Sequence, residues 1–452
     1  MKRKAWFLTL LLVAAAAALS RPATPAAETR AANEFRVGAA KVDITPNPAA
    51  MPVTLNGYGG RGGKPATGVL DPIYARALAV ADPAGRRVAL VVLDLCFVDS
   101  EVRDRVVDKL APHGYGEHNL MIAGTHTHAA PSGYDRRRIV QAVMGPFDQR
   151  ILDQVVNGIV AAVLAADAAL RPAVLSTDTS ELLGMNRSRR DPAFDVGVGG
   201  FDSSSPIKPD PVKYQTDRRL TVVRAVGLDG KPIALLVHFA SHPTVLSPDN
   251  MKISADWPGV MNSRLEQDNG GTAIFLNGAL GDAAPTPDWS TVAKEIQDMH
   301  AYGEKMAAAV EKRLPSLQPL TDKVVGGHVN RTDLSRVQIR LFGGMPVHPG
   351  LAKVLYLRPD APFQALRIGR LIVLGAPGEP TTLVARELES LCDPTFHCLI
   401  SGPVNDYWGY FVTGVEYEEG GYAPDSCYIG PHAVTKLKAA FWPSATIVQA
   451  AP

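Results

Sequence analysis

The segment Gly124-Thr125-His126-Thr127-His128 places two imidazoles one residue apart, directly after the apolar run Leu120-Met121-Ile122-Ala123. Residues i and i+2 of a strand face the same side, so both rings are expected to reach one point at a strand end. Neutral imidazole is the commonest protein ligand for metals, and strand ends of α/β sheets are where such sites gather. The plain alternative is that the rings satisfy buried hydrogen bonds, since the pair alone does not complete a metal's donor set.

Three further segments bear on that choice. Val237-His238-Phe239-Ala240-Ser241-His242-Pro243-Thr244 is a second apolar strand running into a histidine at a proline turn, and it offers a third nitrogen. Leu371-Ile372-Val373-Leu374-Gly375-Ala376-Pro377-Gly378-Glu379 is a buried-type strand and a Gly/Pro turn carrying a carboxylate. It leads into a helical stretch from Leu383 to Leu391, whose dipole Glu379 could simply complement. Asn405-Asp406-Tyr407-Trp408-Gly409-Tyr410 gathers aromatic and polar groups in a segment too glycine-rich for an ordinary helix.

The elements that must carry these residues alternate between apolar strands and helical stretches. Val88 to Leu95 precedes Ser100 to Leu110, and Leu120 to Ala123 precedes Asp148 to Ala166. Strands Leu220 to Val226, Ile233 to Phe239 and Thr272 to Leu276 precede Thr291 to Leu314. This is an α/β pattern, and Gly369-Arg370 between two apolar runs predicts a hairpin. The expected fold is a mixed β-sheet core with flanking helices, forming a single large domain over residues 33–452. Asp191 to Pro211, rich in Gly, Ser, Pro and Asp, reads as a long loop beside Arg187.

In this order, together with Val37-Gly38-Ala39-Ala40-Lys41-Val42-Asp43-Ile44-Thr45-Pro46, Asp71-Pro72-Ile73-Tyr74-Ala75-Arg76-Ala77, Asn186-Arg187-Ser188 and Asn277-Gly278-Ala279-Leu280-Gly281-Asp282, the chain resembles the catalytic domain of the neutral (non-lysosomal, alkaline-type) ceramidases. These are zinc amidases that cleave N-acyl bonds of sphingolipids. The resemblance implies Zn2+ held by His126, His242, Glu379 and Tyr410. It implies that His128 and Arg187 face the substrate, and that a later tyrosine, Tyr417 or Tyr422, lines the site.

Two imidazoles and a carboxylate are a donor set that hydrolytic zinc favours, with room left for water. A tyrosine beside the cation could switch between ligand and proton donor. His128 is expected to protonate a leaving amine or to orient a group, the alternative being a supporting hydrogen bond without proton transfer. Arg187 is expected near the substrate's carbonyl or head group, the alternative being a structural salt bridge. Asp256 either orients a ligand or substrate hydroxyl or caps the helix that starts after Pro258, and Asp282 is placed at an Asx-type turn; both are expected to support the site from behind.

One departure matters. Where the family carries Gly-Asp-Val-Ser-Pro, with a serine proposed as catalytic, this chain has Gly281-Asp282-Ala283-Ala284-Pro285. Ala284 cannot form an acyl-enzyme, whereas attack by metal-activated water survives the change. The chain also ends about thirty residues beyond Tyr422, so the β-sandwich that the family appends is expected to be missing.

Composition fits an exported enzyme. Lys2, Arg3 and Lys4 precede an apolar stretch from Trp6 to Leu19 and then Ala/Pro-rich sequence, a signal-peptide pattern covering residues 1–32 with its linker, which implies a secreted or periplasmic protein. No later segment is expected to span a bilayer, so the mature chain has no transmembrane segment. With 46 Lys+Arg against 45 Asp+Glu, nucleic acid is excluded as a partner. Of Cys96, Cys392, Cys398 and Cys427, the middle two are close enough to bridge. The reading is a secreted zinc hydrolase cleaving an amide of an N-acyl lipid or related small amphiphile. The alternatives are a zinc esterase or lactonase, and a metal-containing binding protein that has lost turnover; oligomeric state is left open.

Overall fold

The computed structural model describes residues 31–191, 214–286, 294–338, 340, 348, 350 and 358–451. The expected leader, but for its last two residues, and the expected loop after Asp191 lie outside them.

The main sheet is built along one path of eight strands: β1 (Phe35–Asp43), β2 (Tyr74–Ala81), β3 (Arg87–Leu93), β4 (Leu120–Gly124), β5 (Arg171–Glu181), β6 (Arg219–Gly227), β7 (Pro232–Phe239) and β8 (Thr272–Asn277). Their order is β8-β7-β6-β5-β1-β2-β3-β4, with the short strand Gln318–Pro319 also pairing with β5. Neighbours are antiparallel except at the two ends of the path, where β3 runs parallel to β4 and β7 to β8. A second sheet contains β9 (Val325–Asp333), β10 (Asp360–Ile368), β11 (Leu371–Gly375) and β12 (His397–Ser401), again antiparallel except for its last pair, β11 with β12. The expected hairpin is present: Gly369 turns β10 into β11 at φ 59°, a left-handed conformation that glycine adopts without strain.

Runs such as Val88-Ala89-Leu90-Val91-Val92-Leu93 are apolar on every residue because both faces of β3 are covered. On one side, helices α1 (Ser100–Leu110) and α2 (Gln149–Ala168) pack on Ala77, Val91, Leu93 and Ile122. Beside them, α3 (Trp257–Asn269) and α4 (Glu295–Glu311) pack on Leu235, Val237 and Phe275. The opposite face meets the second sheet, with Val80, Leu90, Val92 and Ile274 against Leu366, Ile368 and Val373. Helices α5 (Thr382–Glu389) and α6 (Ala433–Ala450) close the far side over Phe363, Ile372 and Leu374. The architecture is helix, sheet, sheet, helix, a mixed α/β fold in which each fully buried Val, Leu or Phe contributes roughly 1.5–3 kcal/mol.

Contrary to expectation, α2 is long and apolar enough to cross a membrane. Its apolar stripe, including Ile151, Val155, Ile159 and Val163, is nevertheless spent on the main sheet. Cys392 and Cys398 are bridged, while Cys96 and Cys427 are buried free thiols.

Three parallel pairs matter most for function. The chain leaves β4 toward His126, β7 toward His242 and β11 toward Glu379, each from the carboxyl end of a parallel pair in an otherwise antiparallel sheet. Carboxyl ends of parallel strands are where α/β proteins concentrate their sites. At the end of β8, the Asn277 amide donates to the carbonyls of both Thr125 and Ser241, at 2.9 Å each, tying the exits of β4 and β7 together. The Ser401 hydroxyl donates to the Asn277 carbonyl at 2.8 Å and joins the end of β12 to the same knot.

Candidate metal centre

His126 and His128 do not sit in a strand. β4 ends at Gly124, and His126 adopts φ 72°, a left-handed conformation that costs a non-glycine residue on the order of 1–3 kcal/mol. The strand parity expected for the pair is therefore replaced by a turn, held by the His126 N–H donating to the Leu95 carbonyl at 2.9 Å. The turn still brings the two rings to 4.9 Å, edge to face.

His126, His242 and Glu379 converge. His126 Nε2 lies 3.3 Å from Glu379 Oε1 and His242 Nε2 lies 3.2 Å from Glu379 Oε2, all three side chains being buried. Each imidazole is fixed from behind by a carbonyl, which can only accept: His126 Nδ1 is 2.6 Å from Cys96 O, and His242 Nδ1 is 3.0 Å from Ala283 O. Both Nδ1 atoms must therefore carry the proton, leaving the Nε2 lone pairs directed at the shared space. His126 Nε2, His242 Nε2 and Glu379 Oε2 are buried without a hydrogen-bond partner among the described residues, and the three donor groups lie within 4.8 Å of one another. Buried polar atoms are ordinarily satisfied, so three such atoms at one point fit a divalent cation.

Electrostatics treats the three imidazoles differently. Burial drives His242 down to about 3 and His128 well below the usual imidazole range, keeping both neutral. For Glu379, burial alone would raise the pKa, but the flanking His126 and His242 outweigh it and hold the carboxyl well below its usual range. His126 moves upward, burial being outweighed by Cys96 and Glu379.

Glu379 is delivered by the tight turn after β11. A side chain at Gly378 would meet the Gly409 carbonyl at 2.5 Å, so this approach requires glycine. Glu379-Pro380 pairs in parallel with Tyr410-Phe411, which sets the Cα atoms of Glu379 and Tyr410 opposite each other. Burial and the Glu379 charge push the Tyr410 phenol well above its usual range, and its oxygen accepts from Arg189 Nη1 at 3.4 Å.

Two residues here escaped the sequence reading. The Tyr407 hydroxyl donates to Glu379 Oε1 at 2.6 Å, with its ring stacked on Phe97 at 4.5 Å. Tyr407 lay in the quoted aromatic segment, where spacing does not decide which tyrosine touches the carboxylate. Arg189 is the other, three residues past Asn186 and beyond its short strand. Of the two arginines, Arg189 is the one seen to bond Tyr410; Arg187 has its Cα opposite Ala284, and burial lowers it to about 10 against the opposing pull of Asp191.

The remaining expected residues divide. His128 lies with its ring 5.7 Å from that of His242, against Tyr58 at 4.7 Å, and both its ring nitrogens are buried and unpartnered among the described residues. Asp256 caps α3, accepting from Trp257 N at 2.6 Å, and also receives Leu246 N at 3.0 Å from the loop after His242. Asp282 accepts from both the N–H and the hydroxyl of Thr382 at the start of α5. Tyr422 packs edge-on to Tyr410 at 5.4 Å and is 57% exposed, at the rim of the cluster. Tyr417 instead faces Arg340, with the guanidinium 5.8 Å from its ring, so of the two it is Tyr422 that touches Tyr410. A cavity of about 460 Å³ lined by Tyr214, Asp217, Arg219, Thr382, Arg386 and Glu389 contains none of the converging donors.

The chain is similar over most of its length to proteins named as neutral ceramidases. The chain is 24% identical to neutral ceramidase B of Dictyostelium discoideum over 89% of its length and 70% of that protein. It is 26% identical to the neutral ceramidase of Pseudomonas aeruginosa, over 94% of this chain and 73% of that one, and 30% identical to neutral ceramidase 1 of Arabidopsis thaliana, over 62% of this chain but only 35% of that one. The crystal structure of the Pseudomonas aeruginosa neutral ceramidase shares the fold, with a TM-score of 0.80 at 22% identity over 93% of this chain and 75% of that one. The description "Neutral/alkaline non-lysosomal ceramidase, N-terminal" matches residues 35–301, more than half of the sequence, and the chain belongs to that family.

Proposed function

We propose that this protein is an exported zinc amidase that hydrolyses the N-acyl bond of a lipid or small amphiphile. The observation that carries this reading is the convergence of the buried, unpartnered donors of His126, His242 and Glu379, each imidazole with its tautomer fixed by a carbonyl. His126, His242 and Glu379 would hold the metal, with Tyr410 the fourth candidate. Zinc there would supply a Lewis acid able to ionise water near neutral pH.

The protein's own groups do the rest. Glu379 stays ionised and takes the Tyr407 hydroxyl proton in a hydrogen bond, which fixes the carboxylate's orientation. Tyr410 and Arg189 present an O–H and N–H groups beside the cluster, where charge developing on a carbonyl oxygen needs donors. The buried, neutral imidazole of His128 can exchange a proton with the departing nitrogen. Ala284, fully buried, has no hydroxyl, so the acyl group is not passed through a serine ester at this position. The names of the ceramidase relatives support an amide over an ester as the bond cleaved.

The test is metal analysis of the purified protein alongside hydrolysis of amide and ester panels with and without chelator, repeated for His126→Ala and Glu379→Ala. Zinc and amidase activity are expected to be lost together in both variants. Stoichiometric zinc retained in both would refute the ligand assignment, tight binding without product would favour a binding protein, and activity confined to esters would favour an esterase. The reading of Met1 to Ser20 as an export signal is checked by the N-terminus of the protein recovered outside the cytoplasm.

A further inference from the structure

We propose that Arg189 makes this site selective for an anionic substrate, an N-acyl α-amino acid whose free carboxylate lies next to the scissile amide. This rests on the amidase reading above and narrows it to a substrate class.

Arg189 is placed by its backbone, its N–H donating to the Asp282 carbonyl at 2.7 Å just past the short strand Asn186–Ser188. Its Nη1 reaches the Tyr410 hydroxyl at 3.4 Å, a long contact, and its Nε is buried without a hydrogen-bond partner.

Among the described residues no carboxylate pairs with Arg189. The contrast with its neighbour is direct: Arg190 is held by Glu419 at 2.8 Å and Glu416 at 3.6 Å. Arg189 is half-buried with its Nε shielded from solvent, and a guanidinium held partly away from water is ordinarily paired. Glu379, the only carboxylate in the cluster among the described residues, already faces two imidazoles and a phenol. A divalent cation held there would leave the cluster more positive still, which favours a ligand that carries negative charge.

A planar guanidinium fork matches a carboxylate, two N–H groups to two oxygens. Arg189 is one hydrogen bond from Tyr410, whose Cα faces that of Glu379, so the anion it receives lies close to the reacting amide. An α-amino acid conjugate has this form. Hydrolysis breaks its C–N bond, the oxygen of water joins the acyl carbon, and the proton passes to nitrogen, releasing a fatty acid and a free amino acid.

The experiment compares N-dodecanoylglycine with N-dodecanoylethanolamine, which share the acyl chain and differ in charge, using wild type, Arg189→Gln and Arg189→Lys. The wild type is expected to prefer the glycine conjugate in kcat/KM by about tenfold or more, and Arg189→Gln to reduce that preference by about 10- to 100-fold, with Arg189→Lys restoring part of it. Calorimetric binding of both ligands to chelator-treated protein is expected to show the same order, independent of turnover. A wild-type preference for the ethanolamide, or equal binding of both ligands, overturns the proposal. Equal losses on both substrates in Arg189→Gln, with weakened metal binding, would assign Arg189 to Tyr410 alone and overturn it too. Absence of hydrolysis with a retained, Arg189-dependent preference in binding would sink the amidase reading and leave the anion site standing.

Discussion

Asp282 holds Thr382 by two hydrogen bonds, from the backbone N–H at 2.8 Å and from the hydroxyl at 3.0 Å, although the two residues are a hundred positions apart. Thr382 opens α5 three residues after Glu379, so this clasp joins the turn that carries the carboxylate to the loop beyond β8. Gly281 N donating to Pro380 O at 2.9 Å reinforces it.

Replacing Asp282 by Ala should therefore lower both stability and metal affinity. Two buried donors on Thr382 lose their acceptor, a cost of about 1–3 kcal/mol, and loosening the Glu379 turn should weaken zinc binding about 10- to 100-fold. Thermal melts and a zinc competition titration measure the two effects. Unchanged zinc affinity in a destabilised variant would show that the clasp serves the fold alone.

Tyr407→Phe removes one hydroxyl from Glu379 and keeps the ring stacked on Phe97. Zinc affinity should fall about tenfold with the melting temperature little changed. The same measurement on Tyr410→Phe ranks the two tyrosines, and a larger loss in Tyr410→Phe would mark Tyr410 as the ligand.

Asn277→Leu should be among the most damaging single changes at the centre of the molecule. It strands the carbonyls of Thr125 and Ser241 in a dry environment, for a loss of about 2 kcal/mol or more, read from urea unfolding. A loss below about 0.5 kcal/mol would mean that the exits of β4 and β7 are held by other contacts.

Asp256 gives the pH dependence a sign. Burial pushes its carboxyl up to about 7, against the pull of the N–H groups of Leu246, Trp257 and Val245. The unfolded chain releases that proton near pH ~4, so between pH ~4 and about 7 the native state binds more protons than the unfolded one. Stability from this group is present below pH ~4 and declines as pH rises through 7. Asp256→Asn cannot ionise, so its melting temperature relative to wild type should climb across that window; parallel profiles would contradict the assignment.

The donor set was legible because His126, His242 and Glu379 each follow an apolar strand directly, and such junctions are local in sequence. The geometry around them was not. The spacing of His126 and His128 suggested strand parity, whereas the chain turns left-handed at His126 under constraints from Leu95 and Cys96, which are distant in sequence. Arg189 and Tyr407 join the cluster only through contacts with residues some 220 and 28 positions away. Strand β5 escaped because its outer half, Ser176-Thr177-Asp178-Thr179-Ser180, is polar, and α6 because Pro443 interrupts its helical pattern. The alternation of apolar strands with helical stretches correctly gave α/β, but the face-to-face packing of two sheets depends on which apolar surfaces meet, and strand-by-strand periodicity does not reveal it.

Because each of the three donors arrives on a separate excursion of the backbone, with more than a hundred residues between successive ones, none of them can be assembled by a fragment. A cation bound between them would bridge both layers of strands, acting as a rivet on the whole molecule rather than as an accessory to one loop. Occupancy of that position thus becomes a gauge of whether the two halves have come together at all.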